Sequence, residues 1–341
     1  MYTTNTKINN QLSIWLIVMF WIISFMIIVG GLTRLTDSGL SITEWELFTG
    51  IMPPMNEIAW NNYFLEYKKI PQFFLLNQNM SLDEFKIIFY WEYFHRIIAR
   101  FIGLFFLLPL VYFYFSKKIN KKDLKICYLI LFLIVTQGIV GWYMVKSGLV
   151  NDVTVSHYRL SLHLLIALSI ISIIFWLIIN RVKKTFKKFF VFSQDNIPYL
   201  ILIFLIFCQI VLGAFVSGLD AGRIYQTWPL MGQSYFPNDF INKNFYNFFD
   251  FENHSLVQFY HRNMAYLITL YIIFLTYSLY KKQIKELMKP ILLLNLFLIL
   301  QIVLGVLTLI SGLEMYLASA HQITSVLLIF TSINLYYYHI K

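Results

Sequence analysis

Residues 12–30 read LSIWLIVMFWIISFMIIVG, an unbroken run from Leu12 to Gly30 without a charged side chain. At 1.5 Å of rise per residue, about 20 such residues cross the ~30 Å hydrocarbon layer of a bilayer as one helix. Working outward, further apolar runs lie near 88–115, 126–146, 156–180, 197–216, 254–280, 290–312 and 315–339, which makes eight. With 59% hydrophobic and 13% charged residues in 341 positions, the chain carries more apolar surface than a water-soluble domain can bury. These features predict an all-α, polytopic membrane protein of eight transmembrane helices.

The net charge of +10 would point to nucleic acid in a soluble protein, but its distribution has a simpler cause. Lys7, the runs Lys117 to Lys125, Arg181 to Lys188 and Lys281 to Lys289, and Lys341 hold 16 of the 27 basic residues, all on one side of an eight-span layout. The positive-inside rule makes that side the cytoplasm and puts both termini there. The opposite loops hold Arg34, Lys68, Lys69, Lys86, Lys146, Arg223 and Lys243 over a greater length. The first span is too long, and too poor in small residues at a cleavage point, for a removable signal peptide, and residues 1–11 lack the arginines of a transit sequence. Cys127 and Cys208 sit within apolar spans without a CxxC or paired-loop pattern, so neither a disulfide nor a thiolate metal site is expected.

The chain repeats itself. With a shift of 183 residues and no gap, Gly30, Asp37, Gly39, Trp45 and Pro54 fall on Gly213, Asp220, Gly222, Trp228 and Pro237. In the third and seventh spans Gln137, Gly141 and Ser147-Gly148-Leu149 fall on Gln301, Gly305 and Ser311-Gly312-Leu313. Four spans per half is an even number, so the halves are expected as parallel repeats, each a four-helix bundle whose interior can hold a cofactor. The halves are 1–190 and 191–341; a duplication kept only for packing is the plainer alternative.

Four of the seven histidines share this symmetry. His95 and His261 match in the second and sixth spans, each followed by an arginine, Arg96 or Arg262. His163 and His321 match in the fourth and eighth. All four lie about two helical turns, roughly 10 Å, inside the outer ends of their helices. A single intramembrane histidine is commonly a hydrogen-bonded packing residue; two at matched depth in each repeat point instead to axial ligation of haem iron. His157, His254 and His339 read as interfacial. Of the arginines near the outer face, Arg34, Arg96, Arg100, Arg159, Arg223 and Arg262, those beside the ligands, Arg96 and Arg262, are the candidates for bidentate contact with haem propionates. Snorkelling to headgroups is the alternative.

The symmetry has a defect. Three residues before His95 stands Glu92, and three before His261 stands Gln258. Residues at i and i+3 share a helix face, so Glu92 is expected in the His95 pocket, where a carboxylate can exchange protons or stabilise positive charge. An ion pair with Arg96 or Arg100 is the structural alternative. The asymmetry assigns chemistry to the N-terminal half and a permanent haem to the C-terminal half.

These residues resemble the haem A synthase family over nearly the whole chain. The resemblance is carried by residues 30–41 (Gly30 to Ser41), Glu92-Tyr93-Phe94-His95-Arg96, residues 155–164 with His157 and His163, Gly218-Leu219-Asp220-Ala221-Gly222, Trp228-Pro229-Leu230-Met231-Gly232, Gln258-Phe259-Tyr260-His261-Arg262 and Ala320-His321-Gln322. It implies an oxidoreductase that converts the C8 methyl of haem O to a formyl group through an alcohol, giving haem A for cytochrome oxidase, with water entering through a gem-diol. It implies substrate haem at His95 and His163, a haem b cofactor at His261 and His321, and Glu92 as the catalytic acid. Some members carry paired cysteines in outer loops; this chain lacks them, which argues against thiol-based transfer and resembles the mitochondrial and related bacterial group. Haem O is then the substrate. Haem O synthase, an electron-transfer protein and a second copy of the chain are the partners to consider, in a lipid surround and without nucleic acid. A dihaem cytochrome b-like electron carrier would need the same four histidines and remains the alternative; a transporter would need spans broken near the midplane by Gly or Pro, of which there is little sign.

Overall fold

The computed structural model describes residues 5–45, 49–151, 153–240 and 245–340. Its helices are α1 (Asn5–Leu35), α2 (Glu57–Tyr67), α3 (Pro71–Leu76), α4 (Leu82–Phe115), α5 (Lys121–Asn151), α6 (His157–Val182), α7 (Ile197–Gly218), α8 (His254–Lys281), α9 (Lys285–Ile310) and α10 (Met315–His339). Among the described residues, α1 and α4 to α10 are the eight helices long and apolar enough to cross a membrane. Their outward faces keep large apolar side chains exposed, such as Trp21 at 67%, Phe204 at 65% and Leu270 at 66%. A contiguous surface of that kind fits lipid and not water. The protein is an all-α, multi-pass membrane protein.

The chain divides into two compact units, Met1–Lys184 and Thr185–Lys341. In the first, α1 packs on α4 and α6, and α5 packs on the same two helices, closing a ring of four. The histidine-bearing helices α4 and α6 are therefore diagonal partners. In the second unit α7 and α9 each pack on α8 and α10, which makes α8 and α10 the diagonal pair. At the short-loop end of the first unit a buried Arg181–Asp123 ion pair of 2.6 Å, joined by Ser13 and Asn120, ties α1, α5 and α6.

The two short helices add to the eight expected spans. At 34 residues α4 is about 51 Å long and overshoots the hydrocarbon layer. Its first turn is closed by a capping box in which Ser81 and Glu84 satisfy each other's backbone N–H groups. α2 packs on this projecting stretch and α3 on α5, joined in one aromatic cluster in which Trp60 meets Phe89 edge-on at 4.9 Å and Phe64 stacks on Phe85 at 5.0 Å. Within it Tyr67 donates to Gln72, accepts from Asn77, and Gln72 in turn donates to the Asp37 carbonyl at 3.0 Å. That last bond fixes the loop leaving α1. Burial pushes the Tyr67 hydroxyl above its ordinary pKa.

The chain reverses after α1 and after α7 through left-handed residues at matching places, Asp37 (φ 49°) and Asp220 (φ 51°). Aspartate tolerates that region better than most non-glycine residues. Each reversal brings a loop back over the helix that carries the first histidine of its unit.

Candidate functional site

The four histidines fall into two pairs, one in each unit. His95 on α4 and His163 on α6 have ring centroids 6.4 Å apart, at 47° between planes. His261 on α8 and His321 on α10 are also 6.4 Å apart, at 80°. A metal–imidazole bond is about 2 Å, so two rings bound on opposite sides of one ion place their centres roughly 6 Å apart. Both pairs have the spacing for one iron between them. Among the described residues no group of three or more His, Cys, Asp or Glu side chains could hold a metal ion. Two nitrogens suit an iron whose four equatorial positions come from a macrocycle.

Glycines let the rings approach the neighbouring helices. A β-carbon on Gly141 would stand 3.0 Å from His163 Cε1, one on Gly213 3.1 Å from His261 Cε1, and one on Gly305 2.8 Å from His321 Cε1. Gly30 of α1 does the same for His95, but there the nearest ring atom is Nε2, at 3.3 Å.

Glu92 is buried, 2% exposed, and its carboxylate is fully engaged. One oxygen accepts from Ser41 Oγ and the Ile42 N–H, both at 2.8 Å; the other accepts from Arg96 Nε at 3.0 Å and a terminal Arg96 nitrogen at 2.5 Å. Arg96 also donates to the carbonyls of Ile42 and Glu44. The ion pair offered as the structural alternative is therefore present, and it lies on the His95 helix beside the histidine pair. Ser41 closes the Gly30 to Ser41 motif that carries the family resemblance, whereas the Ile42 amide was signalled only by its place in a loop repeated 183 residues later.

In the second unit Arg262 donates to the carbonyls of Tyr225 and Thr227, the positions 183 residues after Ile42 and Glu44. It makes a longer bond, 3.3 Å, to Leu230. Gln258, in the place of Glu92, donates to the Tyr225 carbonyl at 2.9 Å. Its Oε1 and the Nε of Arg262 are both buried without a hydrogen-bond partner. A buried N–H without an acceptor carries a desolvation cost, so this part of the pocket is suited to an acceptor brought by a ligand.

Of the other outer-face arginines, Arg34 pairs with Asp37 at 2.6 Å, and Arg159 donates to Ser147 and lies over Tyr143. His157 was expected at the interface but is buried at the start of α6 beside Tyr158. His339 stacks on Tyr199 at the other end of the second unit. Cys127 and Cys208 are free thiols.

Residues 13–333 match the COX15-CtaA family, described as cytochrome oxidase assembly protein. The chain belongs to this family. Among COX15-CtaA relatives, the heme A synthase of Pelagibacter ubique (strain HTCC1062) is 51% identical over 334 residues, covering 96% of each chain. That of Rickettsia bellii (strain OSU 85-389) is 42% identical, over 94% of this chain and 96% of its own. The heme A synthase of Flavobacterium psychrophilum is 38% identical over 96% and 97%. The match thus spans both histidine pairs and both loops that cover them.

Proposed function

We propose that this protein is a haem A synthase, an oxidoreductase that converts the C8 methyl of haem O to a formyl group through a hydroxymethyl intermediate. The observation that carries the reading is the pair of 6.4 Å histidine couples of which one alone has a buried carboxylate on its helix. Whole-length similarity to proteins named heme A synthase supports it.

His95 and His163 would hold the substrate haem O, in the half 1–190. His261 and His321 would hold a resident haem b, in the half 191–341, and Arg262, through its unpaired Nε, would meet a propionate. Haem b, when bound, would supply one-electron redox chemistry. The residues themselves have separate tasks. The histidines fix the plane of the substrate so that its edge, and not an open iron position, meets the reacting groups. Ser41, the Ile42 amide and Arg96 orient the Glu92 carboxyl group, which would exchange a proton with the reacting edge of the substrate. Arg96 holds both that carboxylate and the covering loop. The two halves act as parallel repeats in a bacterial inner membrane with both termini cytoplasmic.

Co-expression with a haem O supply, followed by chromatography of the extracted haems, tests the reading. Haem A or its hydroxymethyl precursor is the expected product. Haem b alone, with a reversible redox spectrum, would replace the enzyme by a dihaem electron carrier.

A further inference from the structure

Three of the four histidine-facing glycines stand four residues after a glutamine: Gln137 before Gly141, Gln209 before Gly213, and Gln301 before Gly305. Positions i and i+4 share a helix face, so each glutamine and its glycine address the same imidazole. The spacing has a further effect. In an α-helix the carbonyl of residue i accepts from the N–H of residue i+4 and keeps a second lone pair. A side chain at i+4 would shield that oxygen; a glycine leaves it open.

The oxygen is used. The Gln301 carbonyl lies 3.1 Å from His321 Nδ1. At the other two sites a β-carbon on Gly141 or Gly213 would stand 3.6 Å from the Nδ1 of His163 or His261, and neither Nδ1 has a formed hydrogen bond. The glutamine side chains then reach the ligand-bearing helix itself. Gln209 Nε2 donates to the backbone carbonyl of His261 at 3.1 Å. Gln301 Oε1 accepts from Thr324 Oγ1, one turn beyond His321, and Gln301 Nε2 lies 3.3 Å from His321 Nε2. In the fourth place Met26 stands four residues before Gly30, and His95 turns its Nε2 edge to that glycine.

We infer that Gln209 and Gln301, and by the same spacing Gln137, are positioning residues for the axial histidines. The side chains of Gln209 and Gln301 tie their helices to the ligand's helix, and at Gln301 the backbone carbonyl also takes the Nδ1 proton of His321 and sets its ring plane. A carbonyl on the far nitrogen fixes the tautomer and raises the basicity of the nitrogen facing the iron, and such hydrogen bonding is one of the levers on haem potential. The inference rests on the histidines being haem ligands, as proposed above, but not on haem A being made.

The test uses the purified full-length protein with its bound haem, in variants Gln209→Leu, Gln301→Leu, Thr324→Val and Thr324→Ser. The readouts are the reduction potential of the bound haem and its low-spin EPR g values, with the haem-to-protein ratio alongside. Gln209→Leu, Gln301→Leu and Thr324→Val are expected to raise the potential and displace the largest g value, while Thr324→Ser, which keeps the hydroxyl, stays at wild type. Unchanged potential and g values in the first three would overturn the inference, as would a Thr324→Ser shift equal to that of Thr324→Val. If the leucine variants lose haem, the Thr324 pair decides: a split between Val and Ser supports the positioning role, and no split overturns it. Absence of haem A with these shifts intact would defeat only the enzymatic reading.

Discussion

Both units bring a loop back over the helix of their first histidine and hold it with an arginine bonded to loop carbonyls, yet the group one turn before that arginine differs. In the first unit Glu92 accepts four hydrogen bonds, and Arg96 has a counter-ion. In the second, Gln258 gives a hydrogen bond to the loop instead of receiving one, and both its oxygen and Arg262 Nε are left without a partner. The comparison teaches that one atom type, carboxylate oxygen against amide nitrogen, settles where each arginine's charge is compensated. Arg96 is neutralised from within the protein, whereas Arg262 is suited to an anion brought by a ligand.

The largest break in this comparison should come from the ligands. His261→Ala or His321→Ala is expected to strip the resident haem from the purified protein, read as loss of its Soret absorbance. His95→Ala or His163→Ala should leave that haem in place and abolish haem A formation.

Glu92→Gln, which makes the first unit resemble the second, is expected to lower haem A formation by about 10²- to 10⁴-fold, the usual contribution of a positioned proton-transfer group. The resident haem spectrum should not change. The reverse substitution, Gln258→Glu, gives Arg262 an internal anion and should lower the haem-to-protein ratio after detergent washing. An unchanged ratio would remove Arg262 from the propionate site.

The glycines sharpen the contrast at a smaller scale. Gly305→Ala forces a β-carbon to 2.8 Å from the His321 ring and should cost about 1–3 kcal/mol, seen as a lowered Tm and a shifted haem spectrum. Gly30→Ala meets His95 at 3.3 Å and should cost less. A larger effect at Gly30 would mean that His95 is the more tightly held ligand.

The smallest effect belongs to the aromatic cap of the first unit. Tyr67→Phe removes one donor and one acceptor and should cost about 1 kcal/mol. The folded-state pKa of Tyr67 is raised, so its contribution is fully present below the ordinary tyrosine pKa of about 10 and is lost as pH rises through the folded value. Thermal unfolding of wild type and Tyr67→Phe should therefore converge in strong alkali.

The eight spans were legible because lipid demands long apolar runs, and the four histidines because they are rare at membrane depth. α2 and α3 were not, since 11 and 6 residues are too short to carry a membrane signal and are held by packing on α4 and α5. The loop bonds of Arg96 and Arg262 were equally hidden: their partners are backbone carbonyls, which have no residue type. Gln137 and Gln301 were visible as marks of repetition, but their bearing on the histidines needed the helices placed side by side.

The difference between Glu92 and Gln258 also has a genetic side. Codons for glutamate and glutamine differ only in their first base, so a single nucleotide change converts either half's residue into the other's. Because the surrounding loop bonds are already alike, a division of labour between the halves could arise in one mutational step.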